Sequence, residues 1–123
     1  DTLRALKQDG VWEAYVGEVQ HRLGATTDSR LQAAVERSGS AVEHAGRWLE
    51  ATLSERDLLE AGARRFAVTL GRTTELALLG QHAQWCLDHG KGERALAAAR
   101  RFARSRIDLI EDDDMRAESK LLT

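Results

Sequence analysis

Residues 58–89 read LLEAGARRFAVTLGRTTELALLGQHAQWCLDH, a run with no proline and no loop-like cluster inside it. Apolar or small residues recur at Leu59, Phe66, Leu70, Thr73, Ala77 and Gly80. Those steps keep one face of a helix turned toward a core. A second set, Leu58, Val68, Leu76, Leu79 and Ala83, widens the stripe to both flanks. A helix apolar on more than one side needs more than one neighbour, so the pattern predicts a central helix. At about 1.5 Å per residue it would be roughly 48 Å long, enough to span a small domain.

The other helices are read outward from this one. Leu3 and Leu6 support one or two turns before Asp9-Gly10 stops them. Trp12, Tyr15 or Val16, Val19 and Leu23 share a face and predict a helix over Val11–Leu23, with Gly24 as a candidate C-cap. Thr26, Thr27, Asp28 and Ser29 offer capping oxygens. The helix that follows, Asp28–Leu53, carries Leu31, Ala34, Val35, Ser38, Val42, Ala45, Leu49 and Thr52 at three-four spacing. Gly39 and Gly46 each cost it about 1 kcal/mol relative to alanine, and small residues there suit close approach of a neighbour. A short turn, in which Ser54 and Asp57 could cap and charge the next helix, makes that helix and the central one antiparallel neighbours.

The central helix, Asp57–His89, breaks at Gly90-Lys91-Gly92, with Gly71 and Gly80 as candidate bend points. A last helix is expected over Gly92–Glu111 with Leu96, Ala99, Phe102, Ala103, Ile107 and Ile110 inward, fraying at the acidic run Glu111–Asp114. Residues 63–67 and 99–103 both read ARRFA, which two similar amphipathic helices explain without duplication. The expected fold is all-α, an up-and-down bundle of about four helices with one long central helix. It forms a single domain over residues 1–111 and leaves 112–123 as an acidic, polar tail.

Composition agrees with helices and narrows function. Of the 123 residues, 42% are hydrophobic but only 5% aromatic, so the core is built from Ala, Leu and Val. A formal charge of −2, from 18 basic and 20 acidic residues, argues against a general nucleic-acid or membrane-surface binder. One cysteine allows no internal disulfide. No long apolar run or signal-peptide pattern is present, and a cytoplasmic domain is the expectation. Asp1 in place of an initiator Met suggests a trimmed terminus or a domain cut from something larger.

Few residues suggest chemistry. His82, Cys86 and His89 stand at spacings of four and three on one side of the central helix, and imidazole and thiolate are good zinc ligands. A fourth ligand would have to come from His21, His44 or an acid. Zinc frameworks usually show two ligand pairs, so no metal site is assigned and the three are read as ordinary helix-end and core residues. Arg94, Arg100, Arg101, Arg104 and Arg106 make the last helix locally basic. They could receive phosphate, but a solvated face paired with acids explains them more simply.

Glu75 is the one carboxylate in an apolar stretch, with Arg72 and Gln81 as nearby partners. Gly90-Lys91-Gly92 is no phosphate loop, and neither Gly-x-Ser-x-Gly nor His-Glu-x-x-His occurs. No catalytic residue is assigned, and no cofactor-binding residue can be named.

GARRFAVTLGRTTELALLGQHAQW, residues 62–85, followed by ERALAAARRFA, residues 93–103, resembles the C-terminal all-helical region of some bacterial acyl-CoA dehydrogenase family proteins. The resemblance implies a parent flavin enzyme with a helical N-terminal domain, a β middle domain and a C-terminal helix bundle. No position matches the family's flavin-contacting segment or its catalytic glutamate. It therefore implies a structural or oligomerisation domain, silent alone, with FAD held elsewhere in the parent. The alternative is an independent helical interaction or regulatory module without flavin.

Either way, an over-long central helix would leave Leu76, Leu79, Ala83 and Trp85 open as an interface. The expected partner is a second copy or a larger parent protein, unless Leu121 and Leu122 of the tail fold back over that surface.

Overall fold

The computed structural model describes residues 2–54 and 60–112. Five helices follow one another: α1 (Thr2–Gln8), α2 (Val11–Gly24), α3 (Gln32–Ser54), α4 (Glu60–Asp88) and α5 (Arg94–Ala103). A single 3₁₀ turn, Ser29–Leu31, leads into α3. Among the described residues there is no strand.

The helix ends follow local chemistry. Gly10, at φ 71°, lets the chain turn from α1 into α2. The Asp28 carboxylate accepts from the Arg30 amide and caps the 3₁₀ turn. Beyond α4, the Lys91 amide reaches back to the Cys86 carbonyl and the Gly90 amide to that of Leu87, with Gly90 left-handed at φ 65°. This is a Schellman closure. Gly24 remains inside α2, and Ala25 ends it in a right-handed conformation. Ser54, expected to cap the central helix, is the last residue of α3, and Asp57 lies outside the described residues.

α4 is the axis of the bundle and runs unbroken through Gly71 and Gly80. α2 lies parallel to it: the Tyr15 hydroxyl donates to the Leu70 carbonyl, Arg22 donates to Gln81, and Gln84 accepts from the amides of Thr27 and Asp28. α3 and α5 run antiparallel to α4. Along α3, Trp48 stacks on Phe66 at one end of α4 while Leu31, before α3, packs with Ala83 at the other. Along α5, Leu96 joins Ala83 and Ala103 joins Leu76.

Close approach uses the small residues. A Cβ on Gly46 would sit 3.4 Å from the Trp12 ring, and one on Gly80 would sit 3.5 Å from Thr26. The core falls into three layers along α4. An aromatic layer holds Trp12, Trp48 and Phe66, a middle layer holds Ala34, Ala41 and Leu76, and a far layer holds Leu31, Ala83, Leu96 and Ala99.

The last segment departs from the sequence expectation. α5 stops at Ala103 instead of running to Glu111, and residues 106–111 continue as a non-helical strap. Side chains of the bundle take the place of helical hydrogen bonds. Arg37 donates to the Ala103 carbonyl at 2.5 Å and Arg72 to that of Arg106 at 2.8 Å. The Leu109 amide donates to the Thr69 hydroxyl, and the Ile110 amide to Asp108. Ile107 and Ile110 are still buried, in the middle and aromatic layers respectively. A spacing of three serves a strap as well as a helix.

Candidate functional site

α2, α3 and α5 cover three sides of α4 and leave one bare. Val68, Gly71, Glu75, Leu78, His82, Trp85 and, just past the helix end, His89 are all exposed. Alternating steps of three and four place them on one straight stripe. Three of the four large hydrophobic residues exposed among the described residues, Val68, Leu78 and Trp85, belong to it, and Trp85 is 48% exposed.

The interface expected from sequence is corrected here. Leu76 and Ala83 are buried, at 1% and 0% exposure, because α5 and the start of α3 pack directly over them. Leu79 is half-covered by the same far layer. Of the four, Trp85 alone is open. The true outer stripe lies on the opposite side of α4.

His82, Cys86 and His89 do not converge on a point. The Cys86 sulfur is buried and 3.6 Å from His82 Nε2. His89 is held elsewhere: its Nδ1 donates to the Trp85 carbonyl at 2.7 Å, and its ring stacks on the indole with centroids 4.2 Å apart. His82 lies against the same indole at 6.4 Å, its ring nearly parallel. His82, Trp85 and His89 thus form an aromatic ladder, with Cys86 outside it. Among the described residues no three His, Cys, Asp or Glu side chains are grouped to hold a metal ion.

His44 forms a cluster that spacing alone does not reveal. Its Nδ1 and Nε2 contact Asp108 and Asp112, each at 2.5 Å, and so tie the strap to α3. Burial disfavours the imidazolium, but its hydrogen bonds to both carboxylates outweigh this and raise the His44 pKa above 6.5. Burial raises the Tyr15 pKa as well, against a smaller opposing hydrogen bond with Thr74. Glu75 is exposed on the outer stripe. Neither expected neighbour engages it: Arg72 binds the strap and Gln81 binds Arg22.

The arginines of α5 divide. Arg100 and Arg104 line a cavity of about 360 Å³ at the far pole, together with Arg30 and Arg37, two residues more than sixty positions away in sequence. Arg94 and Arg101 stand outside its lining, and Arg106 belongs to the strap. Beside the aromatic pole a wider cleft of about 810 Å³ is lined by Lys7, Trp12, Glu43 and Glu50. The Lys7 ammonium pairs with Glu50, which raises its pKa.

The helices α2 to α5, the bare α4 face and the arginine-lined cavity fall within residues 10–120, the span that matches the acyl-CoA dehydrogenase 11 C-terminal domain-like family. The chain belongs to this family. The match covers most of the chain, well beyond the segments that carry the sequence resemblance. No curated protein and no solved structure matched in the same comparisons. As a C-terminal domain-like member of an acyl-CoA dehydrogenase family, the chain raises the question of flavin.

Neither the wide cleft nor the arginine-lined cavity combines an aromatic wall with a surplus of cations. The cleft beside Trp12 sets Lys7 and Arg47 against Glu43 and Glu50. The arginine cavity has no aromatic surface for a flavin ring. Among the described residues no helix is long and apolar enough to cross a membrane.

Proposed function

We propose that this bundle is the C-terminal structural and oligomerisation domain of an acyl-CoA dehydrogenase-like flavoprotein. In this reading it is catalytically silent by itself, and FAD is bound by other domains of the parent. The observation that carries the reading is the family match over residues 10–120, which takes in the whole bundle from α2 through the strap.

The bare stripe of α4 supports assembly with a second copy, because it is self-complementary about Leu78. In an antiparallel two-fold pairing, Leu78 meets its own counterpart and Glu75 faces His82 of the second copy. Trp85 then lies over Gly71. A mid-helix glycine costs about 1 kcal/mol relative to alanine, and a Cβ on Gly71 would touch nothing in its own chain. A large ring from outside gives that glycine a use, and a two-fold axis supplies both contacts twice.

Sedimentation of the 123-residue chain over a range of concentrations tests the assembly. A monomer–dimer equilibrium is expected, with Leu78→Glu abolishing the dimer and leaving helicity unchanged. A concentration-independent monomer overturns it. In the same samples, flavin absorbance or acyl-CoA oxidation by the bundle alone would overturn the silent-domain reading.

A further inference from the structure

The far pole carries a second feature, independent of how the bundle assembles. The cavity between the start of α3 and α5 has a floor of small residues, Ala33, Ala34 and Ala103, and walls formed by four arginines. No acidic residue lines it, although the chain as a whole has more acids than bases.

The four guanidiniums are not equally committed. Arg30 is saturated: Asp28 takes two of its nitrogens and Glu93 a third. Arg37 places one nitrogen on the Ala103 carbonyl, which holds its side chain across the cavity and leaves donors unused. Arg100 on α5 and Arg104, its C-cap, are four residues apart, and their guanidiniums have no hydrogen-bond or ion-pair partner among the described residues.

A solvated, salt-bridged helix face would place acids opposite these arginines. The facing wall offers Arg37 and Ser29 instead. Like charges one helical turn apart repel, and Arg37 adds a third positive charge from the facing wall. An anion in the cavity would relieve both repulsions.

We propose that this cavity binds a small ligand through a phosphate or pyrophosphate group, received by Arg37, Arg100 and Arg104, with Ser29 able to donate from its hydroxyl. Guanidinium forks suit phosphoryl oxygens through paired hydrogen bonds. The volume of about 360 Å³ exceeds what a pyrophosphate group needs, so it also admits part of the attached ligand.

Calorimetric titration of the full chain with inorganic pyrophosphate, at constant ionic strength set by potassium chloride, tests the site. Saturable binding of one pyrophosphate per chain is expected. R100Q with R104Q should weaken it about tenfold or more, whereas the charge-matched pair R94Q with R101Q should leave it within about twofold. ADP should bind and adenosine should not. In amide spectra of the unmodified chain, shifts should concentrate at residues 29–37 and 100–104. The proposal fails if binding does not saturate, if the two double variants weaken it alike, or if spectral shifts scatter over the surface. It fails equally if a single-stranded oligonucleotide binds where pyrophosphate and ADP do not.

Discussion

The two ends of the bundle are packed by opposite means. At one pole Trp12, Trp48 and Phe66 fill the space between helices with rings, the Trp48–Phe66 pair stacked at 4.8 Å. At the other, Ala83 and Ala99 bring α4 and α5 together with little side-chain volume between them, and Leu31 and Leu96 close the layer. Rings supply much burial from few residues, so the aromatic pole can be lined by the short helix α1 and by a strap. Alanines supply little each, but let backbones approach closely and push the long side chains outward. The arginine-lined cavity therefore belongs to the alanine pole. There, close helices leave a floor too shallow for a core and walls built from the outer side chains.

Removing a ring should hurt most. Phe66 is 2% exposed and touches both tryptophans, so Phe66→Ala should cost about 4 kcal/mol in urea unfolding, through lost burial and the cavity left behind. A cost under about 1 kcal/mol would mean that the layer refills itself and the contrast between poles is weak. The alanine pole should fail in the reverse direction. Ala99 is fully buried, and Ala99→Leu should destabilise by about 2 kcal/mol because α5 must move away from α4. A neutral result would show spare room between those helices.

The contrast also explains what could be read from the residues and what could not. α2, α3 and α4 follow from three-four spacing, and residue type places a cap among Thr26, Thr27, Asp28 and Ser29 without choosing Asp28. The end of α5 does not, because Ile107 and Ile110 fit a helix and a strap equally well. The side chains that straighten the strap, Arg37, Thr69 and Arg72, come from other helices. The exposed face of α4 was hidden for a related reason. With apolar residues on several sides, periodicity cannot say which set α5 will cover, and it covers Leu76 and Ala83. The basic cavity was half visible: Arg100 and Arg104 stand out in sequence, but only the fold brings Arg30 and Arg37 to them.

The smallest expected effect concerns the strap. With its pKa raised above 6.5, folded His44 adds stability that is fully present below the unfolded value and is lost as pH rises through the folded one. Its partners are partly exposed, so screening keeps the contribution to about 0.5 kcal/mol. Unfolding free energy should therefore fall by about that amount as pH rises from below 6.5 through the raised folded value, and His44→Gln should flatten the decline. An unchanged slope in the variant would assign the pH dependence to other groups.

The strap also sets the polarity of the whole domain as a building block. It carries the chain back along the bundle, so that Ile110 shares the aromatic layer with Leu3 of α1. Polypeptide joined on either side of the described helices would thus leave from one and the same pole. Joined to a larger enzyme, the bundle would be attached at its aromatic end, with the arginine-lined cavity set beyond the middle of α4 and away from the point of attachment.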